Sequence, residues 1–234
     1  MKYAIINGKI LDGTKDMEVV DGYSIIVDDD KIAAITKTED IPKEYKVIDL
    51  KGKYIMPGLI NMHVHLAGSG KPQKKQRDNE KLVKGLLGNP LTRAIAYRMV
   101  KDFAKTELMS GVTTIRTVGG LADFDTRARD EIYAGRAIGP RILAANEGIS
   151  VPGGPMAGSV AVAAHSIDEA LAQVDKAKEQ RADIIKLMIT GGVMDAKAKG
   201  VPGELKMSPE MVKAVCNKAH KLGYMVAAHV ESPE

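Results

Sequence analysis

Tryptophan is absent from the 234 residues, and Phe103 and Phe124 are the only phenylalanines. Small and aliphatic side chains must therefore build the interior, as they do in closely packed α/β proteins. A single cysteine, Cys216, excludes an internal disulfide framework and suits a reducing cytoplasm. No apolar run approaches the ~20 residues that cross a bilayer. The opening Met1-Lys2-Tyr3-Ala4-Ile5-Ile6-Asn7-Gly8 is too short in apolar residues for a secretory leader. An excess of one sign of charge is also missing: the net value is +4 and the basic residues are dispersed. Their densest patch, residues 71–77, reads as a solvated loop, so no nucleic-acid partner is expected. What remains, 44% hydrophobic and 27% charged, is the profile of a soluble globular protein, here expected to be cytoplasmic with no membrane partner.

The chain is written in two grammars. Residues 1–56 are short apolar stretches separated by turn signals: Asn7-Gly8, a strong hairpin signal, Asp12-Gly13, and the acidic Asp28-Asp29-Asp30. They predict a small antiparallel β unit without helix. At Pro57-Gly58 the pattern becomes strand, loop, helix, repeated. Strands are predicted at 59–66, 112–118, 141–145, 184–189 and 224–229, and helices at 91–109, 126–133, 167–180 and from Pro209 to Gly223. Ser166-Ile167-Asp168-Glu169 has the spacing of a capping box, and Ser208-Pro209-Glu210 combines an N-cap, a first-turn proline and an acid. Strands alternating with helices imply a parallel sheet. The long connections, 67–79, 146–165 and 190–206, all follow strands, the asymmetry of a barrel with functional loops on its C-terminal face. The expected fold is α/β: a partial TIM-type barrel of five β/α units over 57–234, cut short after its fifth strand. A small, incomplete β-sandwich-like unit over 1–56 precedes it.

Chemistry gathers at the predicted strand ends. His63 and His65 are two apart, so they share one face of a strand, where two imidazoles can grip a divalent cation, zinc being the usual choice. Taken alone, the same pair reads more readily as two polar residues hydrogen-bonded to backbone. Lys186 lies in the apolar run Asp183-Ile184-Ile185-Lys186-Leu187-Met188. A buried ammonium is costly, so this lysine needs a reason: to snorkel, to form a Schiff base, or to take up CO2 as an anionic carbamate. His229 closes the last predicted strand. His220 on a lysine-rich helix, His165 before a capping serine, Cys216 on an apolar helix face, and the Gly119-Gly120 and Gly191-Gly192 turns read as structural. Glu147 and Glu204 are merely eligible.

These residues fall in motifs that resemble the amidohydrolase superfamily. They are Pro57-Gly58-Leu59-Ile60-Asn61-Met62-His63-Val64-His65, Gly111-Val112-Thr113-Thr114-Ile115-Arg116, Gly139-Pro140-Arg141-Ile142, Ile185-Lys186-Leu187-Met188-Ile189-Thr190-Gly191-Gly192 and Val226-Ala227-Ala228-His229. The similarity is to the imidazolonepropionase-like and Xaa-Pro or Xaa-Arg dipeptidase branch, over nearly the whole chain. It implies that His63 and His65 hold the more buried metal, that Lys186 bridges two metals as a carbamate, and that His229 serves the second. It further implies attack of a metal-bound hydroxide on a polarised carbonyl, with Lys186 in the catalytic set. Asn61 stands where the family usually has aspartate, and Gly153-Gly154-Pro155-Met156 where relatives often carry Gly-Gly-His-Gly. The family's further histidine and aspartate, from later strands, have no counterpart here.

Three functions follow. The first is a metal-dependent hydrolase of an amide or cyclic amide C–N bond, using one or two divalent ions, zinc first, on a small-molecule or dipeptide substrate. The second is a fragment or shortened product, competent only as a homo-oligomer or when completed by a missing C-terminal segment. The third is a Schiff-base lyase using Lys186. No residue is assigned to substrate binding.

Overall fold

The structure is a computed structural model describing residues 1–70, 78–192 and 203–232. The basic patch at 71–77 and much of the connection 190–206 lie outside these. Two compact units divide the chain, Met1–Gly58 and Leu59–Glu234.

The first unit holds seven strands: β1 (Lys2–Ile6), β2 (Lys9–Leu11), β3 (Val19–Val20), β4 (Tyr23–Asp28), β5 (Lys31–Lys37), β6 (Lys46–Asp49) and β7 (Tyr54–Ile55). They form two sheets, β5-β4-β1-β6 and β3-β2-β7. The expectation of an antiparallel unit with a hairpin at Asn7-Gly8 needs correction. Asn7 does adopt a left-handed turn at φ +52°, but β1 and β2 pass into different sheets. Each is joined by a parallel partner from residues 46–55, β6 on β1 and β7 on β2. The bonds Leu50 N to Ile6 O, Gly52 N to Asn7 O and Lys9 N to Lys53 O satisfy the turn from outside. The local signal set the bend, and longer-range pairing decided what lay beside it. The unit also contains one 3-10 turn, Thr38–Asp40.

The second unit runs β8 (Leu59–Val64), α1 (Asn79–Leu87), α2 (Pro90–Met109), β9 (Val112–Thr117), α3 (Phe124–Tyr133), β10 (Arg141–Leu143), β11 (Gly148–Ser150), β12 (Ala161–Ala163), α4 (Ile167–Glu179), β13 (Ile184–Met188), α5 (Pro209–Lys221) and β14 (Met225–His229). Among the described residues its named strands pair in parallel, in two sheets ordered β10-β9-β8 and β12-β11-β13-β14, with one isolated antiparallel bridge between Thr190 and Leu205. Asp183 N donates to Ala144 O at 2.7 Å and carries the backbone bonding from the first sheet towards the second. Three elements lie where only connections were expected. Helix α1 starts at an Asp78 cap that accepts from Lys81 N. The short strands β11 and β12 lie within 146–165, at three residues each too brief to show a period.

Helices α4 and α5 start where their caps predict, and α2 starts at a cap the sequence reading did not single out. Asn89, Ser166 and Ser208 accept from Thr92, Glu169 and Met211 N–H groups, each filling an orphan donor of the first turn. Two cores result. Val64, Leu66, Val100, Ile115 and Phe124 pack α2 and α3 against the first sheet. Ile149, Val174, Ile185, Leu187, Met207 and Val215 pack α4 and α5 against the second. All five residues of β13 are buried, as befits a parallel strand covered on both faces.

Candidate metal centre

The alternation of β8 fixes the first two histidines. Val64 and Leu66 are 6% and 1% exposed, within the core under α2. His63 and His65, in the opposite phase, line a cavity of about 460 Å³ at the C-terminal ends of the strands. Their Nε2 atoms lie 3.3 Å apart. Two nitrogens bound tetrahedrally to one zinc at about 2.0–2.1 Å stand about 3.3–3.4 Å from each other, so the pair already has chelating spacing. His65 Nδ1 donates to Gly119 O at 3.0 Å, which turns the lone pair of Nε2 into the cavity. Desolvation, and then the charge of Lys186, lower the pKa of His63. For His65, desolvation outweighs the raising effect of the Gly119 bond. Both shifts favour the neutral imidazole, the form that binds metal.

Lys186 and His229 enter from the second sheet. In β13, Ile185 and Leu187 face the α4/α5 core, so Lys186 and Met188 face the other way. Met188 pairs with His229 and Lys186 with Ala227 in parallel register, which puts His229 on the same face. All three line the cavity beside His63 and His65. Lys186 is 2% exposed and makes no ion pair among the described residues. Burial, reinforced by Arg116, pulls its pKa down to about 8. The Nε2 of His229 is buried without a hydrogen bond and stands 3.6 Å from Glu231 Oε1.

Three glycines make room for this set. A Cβ on Gly119 would lie 3.2 Å from the His65 ring, on Gly148 3.3 Å from Lys186 Cγ, and on Gly192 2.8 Å from His229 Nε2. Among the described residues no three His, Cys, Asp or Glu side chains converge closely enough to hold an ion by themselves.

The cavity also contains residues that sequence reasoning passed over: Glu80 from the first turn of α1, Glu231 two positions beyond His229, and Met156 and Ser159 from the segment between β11 and β12. Glu231 is tethered by its N–H to Thr190 Oγ1 at 2.8 Å. Its place two residues after a strand-end histidine was the available signal; nothing local marked Glu80. His220 is exposed. The His165 N–H is taken by Glu169 Oε2 at 2.8 Å, part of the α4 cap.

A parallel α/β fold whose strand ends bring two closely spaced histidines, a buried lysine and a third histidine to one cavity has the layout of the α/β enzymes that gather functional side chains at strand ends. Comparison with known proteins gives the family. Residues 54–234 match the Amidohydrolase family and residues 2–55 the NagA composite domain. The chain belongs to the amidohydrolase family. It is similar to a provisionally assigned prolidase from Bifidobacterium longum, with 33% identity and TM-score 0.75 over 100% of this chain and 50% of that one. A Xaa-Pro dipeptidase with methionine bound in its active site is 29% identical at TM-score 0.75, over 98% of this chain and 57% of that one. A 72-residue stretch is 38% identical to the 5-methylthioadenosine/S-adenosylhomocysteine deaminase of Bacillus thuringiensis, 30% of this chain and 16% of that protein. The chain thus spans about half the length of these solved structures and a smaller share of the deaminase. None of the helices among the described residues is long and apolar enough to cross a membrane.

Proposed function

We propose that the chain carries the metal ligands of a hydrolase that cleaves an amide or cyclic amide C–N bond, dipeptides being the first substrates to try. One observation carries this reading: the 3.3 Å separation of the His63 and His65 Nε2 atoms at the mouth of a cavity that also holds Lys186 and His229. The names of the relatives, a prolidase, a Xaa-Pro dipeptidase and a deaminase, share C–N bond cleavage and support it.

His63 and His65 would hold the first divalent ion, zinc by preference, and His229 a second, with Lys186 between them. Such an ion supplies Lewis acidity and lowers the pKa of water. The lysine chemistry needs CO2 as its one co-reactant. With its pKa near 8, Lys186 has an accessible neutral amine, whose lone pair attacks CO2. Two protons leave, one to free the amine and one as the N–C bond forms, and a carbamate anion replaces a cation. A Schiff base at the same amine is the competing use, and borohydride trapping with a carbonyl compound separates the two. The second unit is read as part of a barrel and the first as a β-sandwich-like unit. A cytoplasmic setting fits the single cysteine.

A second reading is favoured by the sheet edges. Among the described residues β8 pairs only with β9, and β14 only with β13; Leu59, Ile60 and Met62 on β8 are 49%, 64% and 45% exposed. Open edges of this kind invite pairing, so turnover would need a second copy or a completing segment. The test of both readings is hydrolysis of a dipeptide panel by the zinc-loaded chain across a concentration series. Activity lost in Lys186→Ala supports the first. Activity rising faster than linearly with protein concentration, or appearing only with an added segment, supports the second. Equal turnover by Lys186→Ala would refute the assigned site.

A further inference from the structure

Asp125, the second residue of α3, is fully buried, and neither carboxyl oxygen has a hydrogen bond of ordinary geometry. Desolvation pushes its pKa up to about 6, opposed only by the Thr117 hydroxyl, which itself accepts from Ala145 N at 3.3 Å. An unpaired buried polar group is costly, and the positive end of a helix returns only part of that cost. The packing around this carboxyl suggests what offsets the remainder. A Cβ on Gly120 would lie 2.5 Å from Asp125 Oδ2 and 2.9 Å from its Cγ, so the carboxyl occupies the space that any other residue at 120 would claim. Across the same dipeptide, Gly119 stands at φ +132°, with the His65 ring 3.2 Å from where its Cβ would be. The Gly119 carbonyl accepts from His65 Nδ1. Carboxyl, glycine pair and imidazole are thus one stack with no slack.

We propose that Asp125 is a positioning residue: its carboxyl group, packed on Gly120, fixes the Gly119–Gly120 turn whose carbonyl sets the tautomer and ring plane of His65. Released from the carboxyl, the turn regains the freedom of two adjacent glycines. The Nδ1–H of His65 then loses its acceptor, and Nε2 no longer presents a fixed lone pair to the cavity. The consequence for metal affinity rests on the proposed function; the ring hydrogen bond does not.

The experiment uses the metal-free chain with 15N-labelled histidine, followed by Co2+ titration. Wild type should show a hydrogen-bonded His65 Nδ1–H resonance. Asp125→Ala and Gly120→Ala should lose or shift it and weaken Co2+ binding about 10–100-fold, the range for groups that orient a ligand. Asp125→Asn, which keeps the shape, should retain both. A folded Asp125→Ala protein with an unshifted resonance and unchanged Co2+ affinity overturns the proposal, as does loss of the resonance in Asp125→Asn. Should Asp125→Ala fail to fold, Gly120→Ala reads the same contact from the other side, and an unshifted His65 there is equally fatal. If wild type binds no Co2+, the functional reading fails while the resonance still decides this inference.

Discussion

Lys186 shows the conflict between stability and function at the scale of one residue. A lysine held 2% exposed with a depressed pKa is destabilising while protonated. Because the folded pKa is depressed, its contribution is most favourable above the unfolded value of 10.5 and is lost as pH falls through about 8. Lys186→Met should therefore raise the Tm of the metal-free protein at pH 7, by about 1–3 kcal/mol of stability, while zinc adds less stability than it does to wild type. Thermal melts with and without zinc check both halves. Asp125 behaves in the opposite sense. Its folded pKa is raised, so the stability it contributes is complete below its unfolded value of 3.8 and is lost as pH rises to about 6. The shift corresponds to roughly 3 kcal/mol. Wild type should lose that much relative to Asp125→Asn between those pH values, measured by urea unfolding; parallel profiles would contradict it. The shared face of His63 and His65 was legible from their spacing, and the anomaly of Lys186 from its apolar neighbours. Asp125 was not, because an acid in the first turn of a helix reads as an exposed dipole partner. Only the fold shows it packed against Gly120.

At the scale of the element, the parts with strong terminal chemistry were the legible ones. Ser166 and Glu169 both act at the start of α4, the serine on Glu169 N and the glutamate on His165 N. Ser166→Ala should cost about 1 kcal/mol in chemical denaturation. Phe124, one of two phenylalanines, opens α3 and is fully buried, with its ring 5.3 Å from that of Tyr97 on α2 at a 58° tilt. Phe124→Ala should cost about 3–5 kcal/mol, a loss that leaves the second unit near its stability limit. A cost below about 1 kcal/mol would mean that the α2–α3 contact is not a core contact. Elements set by distant pairing escaped the sequence. Strands β11 and β12 are three residues each, and β11 pairs with β13 across 33 residues of intervening chain and helix. In the first unit, the parallel partners of β1 and β2 come from residues 46–55, a choice no local turn signal can encode.

At the scale of the whole molecule, four side chains from three strands meet at one cavity because a parallel arrangement brings strand ends to a common side. The glycines at 119, 148 and 192 leave the space that three of those side chains fill. The central claim is that this convergence is a metal site, and zinc titration with elemental analysis tests it most directly. Wild type should take up zinc, and the double variant His63→Ala/His65→Ala should lose at least about a hundredfold in affinity for the first equivalent, more than the loss of an orienting neighbour would cause. Lys186→Ala should lose the second equivalent before the first. Zinc bound by the double histidine variant with the affinity and stoichiometry of wild type would contradict the account.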